Sequence, residues 1–260
     1  MRFKFGKNWK SYSRNINNET INVAQDSIKE FLKLDNLKGL KVLDAGCGSG
    51  IFSLASYNLG AKIIHSIDLD PICIETTKRL KEKFVNKIKD NWSINIKSIL
   101  ELNQKEFYDY DIVYSWGVIH HTGNLDLAFD NLYKSVRIGG LLALSIYNDQ
   151  GWLSKFWLIV KRIYNTNKLS MLLILLLFMP YFIFKSTITF LLLGKKQRRG
   201  MNIINNIIDW LGGYPFEVRS PYALIKYANK YNLKLIKINT VGNKHGCNEY
   251  LFRKYDEIVY

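Results

Sequence analysis

The residues with the clearest chemical meaning form a glycine-rich turn directly after a short apolar run. Gly46, Gly48 and Gly50 occur at alternate positions, and Asp44 lies two residues before the first of them. Glycine lets the backbone turn tightly and lets a ligand approach without meeting a side chain. A helix that starts after such a turn presents unpaired amide groups to the ligand. The pattern therefore predicts a ligand site formed by Asp44, the three glycines and Cys47.

The spacing within this turn bears on which ligand it holds. The dinucleotide fingerprint GxGxxG would require glycine at position 51, where the chain has Ile51. A carboxylate at Asp44 would repel a pyrophosphate, but it suits a ligand that carries an amino group. We therefore predict S-adenosylmethionine (SAM), with S-adenosylhomocysteine (SAH) as the product. A nicotinamide-dependent oxidoreductase on the same fold is the alternative.

The second predicted strand ends in acidic residues. Asp68 ends the second apolar run, where a carboxylate can accept hydrogen bonds from the ribose hydroxyls of a nucleoside. Asp70, before Pro71, is instead predicted to cap the helix that follows. The pattern thus assigns one aspartate to the ligand and one to the helix.

The fourth predicted strand ends in the segment DIVYSWGVIHHTGN. We expect Ser115, Trp116 and Gly117 to line the methionine end of the cofactor, and His120 and His121 to face the acceptor. A histidine can take a proton from a hydroxyl or amine during methyl transfer. The alternative is that one of the two histidines only packs against, or caps, the next helix.

Strands and helices alternate along the chain in a way that can place these residues at one edge of a sheet. Apolar periodicity and turn signals predict strands at 41–45, 61–68, 93–100, 110–116, 138–148, 233–241 and 248–254, and helices at 20–34, 49–58, 70–84, 126–135, 202–211 and 221–230. Such alternation predicts an α/β fold with a doubly wound, mostly parallel sheet covered on both faces.

Residues 38–150 resemble the class I SAM-dependent methyltransferases. The resemblance lies in VLDAGCGSG, SIDLD, YDIVYSWGVIHHTGN and VRIGGLLALSIYN. It implies a Rossmann-like seven-stranded sheet with an antiparallel last strand, bound SAM, and glycines that cradle it. Asp44 would orient the amino-acid end of SAM, and Asp68 would hold the ribose. Leu69, directly after Asp68, is a further expected cofactor contact. Ser98, followed by Ile99, stands where many members have an aspartate that binds adenine.

A closer resemblance, to one bacterial subgroup of this family, extends over almost the whole chain. It lies in FKFGKNWKSYS, IYNDQGWLSKFW, DWLGGYPFEV and GCNEYLF, and the subgroup is associated with surface-polysaccharide gene clusters. It implies transfer to an oxygen, less readily a nitrogen, of a small or glycan-precursor acceptor such as a sugar or a phosphorylated group. The expected walls of the acceptor pocket are Trp9, Tyr12, Tyr147, Tyr214 and Glu249.

The chain divides into four expected parts. These are an N-terminal helical cap (1–36), the SAM-binding core (37–150), an apolar and basic helical insertion between strands five and six (151–200), and the C-terminal part of the core (201–260). Within the insertion, Pro180 and Lys185 interrupt the apolar run. It is therefore interpreted as a helical lid, packed on the sheet or on another subunit of a homodimer. The alternatives are a membrane-surface hairpin through 169–199 and a true membrane span.

The amino-acid composition limits which partners and function classes remain. The net charge of +15 fits an anionic partner, either nucleic acid, a membrane surface or a phosphorylated substrate, but it also fits lysines on solvated faces. An RNA methyltransferase is the alternative that the charge favours, although no RNA-binding module or NPPY-type tetrad is present. Three scattered cysteines predict neither a disulfide framework nor a metal site. We expect a cytoplasmic protein, peripheral at the inner face of the membrane if the insertion meets lipid.

Overall fold

The sheet has seven strands in the order β3-β2-β1-β4-β5-β7-β6, with β7 antiparallel to both of its neighbours. This computed structural model describes residues 3–85, 91–193 and 203–256. The strands are β1 (Lys41–Ala45), β2 (Ile63–Asp68), β3 (Trp92–Ile96), β4 (Tyr110–Trp116), β5 (Val136–Tyr147), β6 (Leu233–Asn239) and β7 (Cys247–Lys254). The strand order reverses between β1 and β4, and ligands bind at such a switch point in open α/β sheets.

Helices cover both faces of this sheet, as the alternation of elements predicts. The α-helices of the described residues are α1 (Gly6–Ser13), α2 (Asn18–Leu32), α3 (Ile51–Asn58), α4 (Pro71–Phe84), α5 (Leu125–Ser135), α6 (Trp152–Tyr164), α7 (Lys168–Leu193), α8 (Ile203–Gly212) and α9 (Pro221–Asn229). Buried residues of α2 and α3 form one apolar core against the sheet. Those of α5 and α9 form the other. The fold is therefore the Rossmann-like, doubly wound sheet expected from the sequence.

The N-terminal helices are tied to the edge of the sheet that carries the site. Asp70 caps α4 as predicted, since its Oδ1 accepts the Ile72 amide at 2.9 Å. Its other oxygen, Oδ2, accepts the Gly6 amide at 3.0 Å. One aspartate therefore starts α4 and also holds the first turn of α1 beside the glycine turn.

The third strand is shorter than its apolar pattern predicts. It ends at Ile96, and a 3₁₀ turn over Ile99–Glu101 follows. The Ser98 hydroxyl accepts the Leu100 amide at 3.2 Å, and this local bond competes with continued strand pairing. The prediction of a strand to residue 100 is therefore wrong, and Ser98 lies in a loop at the strand end.

The insertion after β5 is a hairpin of α6 and α7, followed by α8. Pro180 and Lys185, which interrupt the apolar run in the sequence, do not end α7. By its length and apolar composition, Lys168–Ile188 could cross a membrane. Residues on either side of Pro180 pack on Trp157 of α6, among them Phe178 and Phe182. This packing offsets the backbone hydrogen bond that a proline removes from a helix.

Candidate active site

The glycine turn joins β1 to α3 in a conformation that favours glycine. The φ angles of Gly46, Gly48 and Gly50 are 88°, 56° and 80°. A Cβ atom at Gly46 would lie 2.4 Å from Cγ2 of Val118, and one at Gly50 would lie 2.6 Å from Cγ2 of Thr77. Both the backbone conformation and close packing therefore require glycine here.

Asp44 is held under this turn by a chain of hydroxyl groups. The Ser53 hydroxyl donates to Asp44 Oδ2 and lies 2.7 Å from the Ser66 hydroxyl, which also accepts the Trp92 indole N–H at 2.7 Å. Burial raises the pKa of Asp44 to about 7, because the carboxylate is removed from water. In the described part of the chain no cationic side chain forms an ion pair with Asp44. A cationic ligand would therefore stabilise its ionised form.

The raised pKa of Asp44 predicts a pH effect on stability. Between its ordinary value of 3.8 and about 7, the folded protein holds a proton that the unfolded chain has lost. The free energy of unfolding contributed by Asp44 therefore falls as pH rises through this window. Asp44→Asn keeps a hydrogen-bond acceptor for Ser53 but cannot ionise. Without ligand, we expect this variant to be the more stable protein at about pH 8, by on the order of 1 kcal/mol or more.

Urea unfolding of both proteins at about pH 5 and about pH 8 measures this difference. Titrating groups that do not interact with Asp44 cancel in the comparison, because both proteins contain them. A stability difference that is the same at both pH values would contradict the buried, protonated state of Asp44.

Asp68 lies at the end of β2 and organises the other side of the turn. Its Oδ2 accepts the Gly48 amide at 3.0 Å, and its Oδ1 accepts the Asp70 amide at 2.9 Å. Burial raises the pKa of Asp68, and these two hydrogen bonds oppose that rise. Each carboxylate oxygen has two lone pairs, so Asp68 can still accept hydrogen bonds from two hydroxyl groups of a ligand.

A cleft of about 1550 Å³ runs over the carboxyl edge of the sheet. Ordinary ligand pockets measure roughly 300–1,000 Å³, so this cleft can hold a cofactor and an acceptor together. Ten of the predicted cofactor residues line it: Asp44, Gly46, Cys47, Gly48, Asp68, Leu69, Ser98, Ile99, Trp116 and Gly117.

Two predicted cofactor residues do not line the cleft. Ser115 is fully buried, and its hydroxyl donates to the Ala45 carbonyl at 2.8 Å. Successive side chains of a strand point to opposite faces, and the neighbours Tyr114 and Trp116 occupy the face opposite to Ser115. The expectation that Ser115 touches the cofactor is therefore corrected. Gly50 contributes the N-cap of α3 instead of cleft surface.

The two histidines lie in a 3₁₀ turn after β4 and have different hydrogen bonds. His121 Nδ1 lies 2.6 Å from the Pro215 carbonyl oxygen, an acceptor, so Nδ1 carries the proton. His120 Nδ1 instead accepts the Tyr147 amide at 3.3 Å. Burial lowers the pKa of His120 well below its ordinary value, so this ring is neutral at pH 7. The two rings are therefore in opposite tautomers.

The residues expected around the acceptor are brought together with one exception. Trp9, Tyr12, Tyr147 and Glu249 line the cleft, although they come from α1, β5 and β7. Tyr214 is not part of the lining; it precedes Pro215 in a loop whose backbone carbonyl binds the Phe3 amide at 2.8 Å. The expectation for Tyr214 is therefore corrected: it is not among the residues that line the cleft.

Two charged side chains near the cleft, Asp209 and Lys161, are not among the site residues predicted from the sequence. Asp209 of α8 lines the cleft and accepts the Asn8 side-chain amide at 2.5 Å. The buried Lys161 amine donates to the Trp210 carbonyl. Burial raises the pKa of Asp209 to about 7 and lowers that of Lys161 to about 7. Lys161 falls on the apolar stripe of α6 with Trp157, Val160 and Tyr164, and this is the signal that could have revealed it.

Comparison with known sequences assigns the chain to a protein family. Residues 16–171 match the model of a family described as a methyltransferase domain, which is more than half of the chain. The chain belongs to this methyltransferase family. Over 109 residues it is 34% identical to the ribosomal protein L11 methyltransferase of Anoxybacillus flavithermus, which covers 42% of this chain and 32% of that protein.

Other methyltransferases share shorter or more distant similarity with the chain. The ubiquinone biosynthesis O-methyltransferase of Pelagibacter ubique is 26% identical over 129 residues, which cover 48% of this chain and 51% of that protein. The chain therefore aligns with about a third to a half of the length of these two curated relatives. The crystal structure of magnesium protoporphyrin IX methyltransferase from Synechocystis with bound SAM superposes with a TM-score of 0.53 at 13% identity, covering 91% of this chain and 80% of that one.

The fold is thus that of the class I SAM-dependent methyltransferases, and the residues present fit the cofactor of that family. The glycine turn presents backbone without side chains, and the buried Asp44 lacks a cationic protein partner within the described residues. Asp68 stands at the end of the neighbouring strand with acceptor capacity left over. SAM carries an ammonium group that can pair with Asp44, and ribose hydroxyl groups that can donate hydrogen bonds to Asp68.

Proposed function

We propose that this methyltransferase moves the methyl group of SAM to an oxygen of a small or surface-polysaccharide-related acceptor, such as a sugar or a phosphorylated group. Nitrogen is the less favoured nucleophile. The observation that carries the proposal is the continuous cleft from the Asp44 and Asp68 carboxylates to the two histidines. When bound, SAM supplies a methyl group on a positively charged sulfur, which is already a good leaving group. The protein mainly aligns the reactants and excludes water.

The proposed cofactor contacts follow the direction of the cleft. Asp44 would bind the ammonium group, and the amides of the glycine turn would lie against the amino-acid end. Asp68 and Leu69 would contact the ribose, and Ser98 with Ile99 the adenine. The Ser98 hydroxyl accepts the Leu100 amide. Its proton can therefore donate to a ring nitrogen of adenine, since a hydroxyl both donates and accepts.

Of the two predicted catalytic histidines, the tautomer and the exposure favour His121 as the proton acceptor. Donation from Nδ1 to the Pro215 carbonyl selects the tautomer in which Nε2 carries the basic lone pair. His120 is almost fully buried, whereas His121 is partly exposed at the cleft, where an acceptor can reach it. We therefore assign deprotonation of the acceptor hydroxyl to His121. His120 would act as a positioning residue that packs on the Tyr147 ring, with ring centroids 4.0 Å apart.

The walls of the acceptor end support a polar, ring-shaped acceptor. Trp9, Tyr147 and Trp210 offer aromatic faces, and Glu249 and Asp209 offer carboxylates. Aromatic faces bind the apolar face of a sugar ring, and carboxylates accept hydrogen bonds from its hydroxyl groups. This combination suits a glycan precursor better than a purely apolar substrate.

The test is a screen of acceptors for SAH release by the purified protein. The panel contains nucleotide sugars, sugar phosphates, a demethylated quinol, ribosomal protein L11 and total RNA. Activity with a sugar-containing acceptor would support the proposal. Activity only with L11, the quinol or RNA would overturn the proposed acceptor class while leaving methyl transfer in place.

Calorimetry separates the proposed chemistry from the oxidoreductase alternative. We expect heat of binding with SAM and SAH and none with NADH. Binding of NADH alone, by folded protein, would contradict the proposal. RNA binding that weakens steeply with salt would favour the RNA methyltransferase instead.

A further inference from the structure

We propose that the hairpin of α6 and α7 is a docking surface for the interfacial region of an anionic phospholipid bilayer. This function is separate from methyl transfer. It rests on the packing of α7, on a matching stripe along α6 and on the charge of the segment.

The helix α7 packs on the protein along one face and leaves the opposite face exposed. Met171, Ile174, Leu175, Phe178, Met179 and Phe182 pack against buried residues of α6 and α8. On the other side, Leu169, Leu176, Leu177 and Phe184 are each 65–68% exposed. Residues three, four and seven apart share one face of a helix, so both sets form continuous stripes. An ordinary soluble surface rarely carries an apolar stripe of this length.

The helix α6 carries a second exposed apolar stripe. Trp152, Phe156, Ile159 and Ile163 recur at intervals of four and three residues and are all exposed. Trp152 is 77% exposed at the first turn of the helix. Tryptophan is enriched where a membrane meets water, because its ring is amphipathic. Each of the two helices of the hairpin thus carries an exposed apolar stripe.

The charge of this segment is entirely positive. No Asp or Glu occurs between Asp149 and Asp209. Among the basic residues, Lys155, Arg162 and Lys168 are exposed on the described helices, as is Lys185. The basic cluster KKQRR at 195–199 lies outside the described residues and adds to the same sign of charge. Basic residues around an apolar helix face favour anionic headgroups.

This charge distinguishes lipid from a second copy of the chain as the occupant. A twofold dimer through the hairpin would place the same basic residues opposite one another. The packed face of α7, between Met171 and Phe182, also holds this helix against the rest of the protein. The helix α8 takes part in this packing and contributes residues to the cleft. A spanning α7 would draw these soluble elements into the hydrocarbon, where unpaired backbone is costly. Lying in the interface satisfies both constraints.

Vesicle flotation tests the proposal. One set of vesicles contains phosphatidylcholine only, and the other contains equal amounts of phosphatidylcholine and phosphatidylglycerol. We expect the unaltered protein to bind the anionic vesicles and to bind the neutral ones at least about tenfold more weakly. In the double variant Leu176→Glu/Leu177→Glu, binding should fall at least about tenfold. The matched control is Leu127→Glu, on the exposed side of α5, which should bind like the unaltered protein.

Calorimetric SAH binding and sedimentation velocity accompany the assay. SAH binding checks that each variant is folded. If SAH binds to none of the proteins, a circular dichroism melting curve of each variant serves as the check of folding instead. The proposal is overturned if the protein binds neither vesicle, binds both equally, or binds equally well with the double substitution. It is also overturned if a dimer without lipid affinity disappears in the double variant, because the hairpin is then an interface between copies.

Discussion

Asp68→Asn is expected to weaken SAH binding by about 100-fold or more. The ionised carboxylate is proposed to accept hydrogen bonds from two ribose hydroxyls. Hydrogen bonds to a charged group contribute about 1.5–3 kcal/mol each, and each 1.4 kcal/mol is a factor of ten. In asparagine an NH₂ group, which is a donor, replaces one carboxylate oxygen. The side chain therefore also loses the hydrogen bond that this oxygen accepts from the backbone N–H of Gly48 or Asp70. Isothermal titration with SAH measures the change.

The matched control is Asp35→Asn, the same chemical change at an exposed position outside the cleft lining. SAH should bind to this variant as it binds to the unaltered protein. Equal SAH affinity in Asp68→Asn and Asp35→Asn, with both proteins folded, would show that Asp68 does not hold the ribose.

His121→Ala is expected to lower kcat by about 100- to 10,000-fold, which is the usual contribution of a general base. The dissociation constant of SAH should change little, because the base acts on the acceptor and not on the cofactor. Comparing single-turnover methyl transfer with SAH titration separates these two quantities. Added imidazole should restore part of the rate, since a small base can enter the space that the side chain leaves.

Two variants sharpen this experiment. His65→Ala makes the same change in β2 away from the cleft, and methyl transfer should stay near its original rate in the folded protein. His120→Ala should destabilise the protein by removing a buried ring, without imidazole rescue of the residual rate. If His120→Ala is rescued by imidazole and His121→Ala keeps full activity, the two roles are exchanged.

The order of elements and the cofactor end of the cleft could be predicted because they depend on local patterns. Gly46 and Gly48 follow an apolar run directly, and Asp68 ends the next one. The carboxyl ends of neighbouring parallel strands meet at one edge of a sheet, so alternation of elements brings these residues together. The α4 cap at Asp70 followed from the same local reasoning, because a cap depends on the two residues after it.

The acceptor end could not be predicted in this way, because it is built from distant segments. Asp209 lines the cleft only because α8 packs against α6 and α7, and Lys161 is buried by the same contact. The role of the Pro215 carbonyl depends on a loop 94 residues away from His121. No spacing rule relates positions so far apart in the chain.

The sequence by itself determined the seven-stranded fold, its helical layers and the positions of Asp44 and Asp68 at the end of their strands. Hydrophobic periodicity and glycine spacing are local, and parallel crossovers have one hand, so few arrangements remained. Only the tertiary structure decided that Ser115 faces away from the cleft, that the histidines differ in tautomer and that α7 exposes one apolar face. Each of these depends on which atoms of remote elements pack against the residue, and local sequence does not specify that packing.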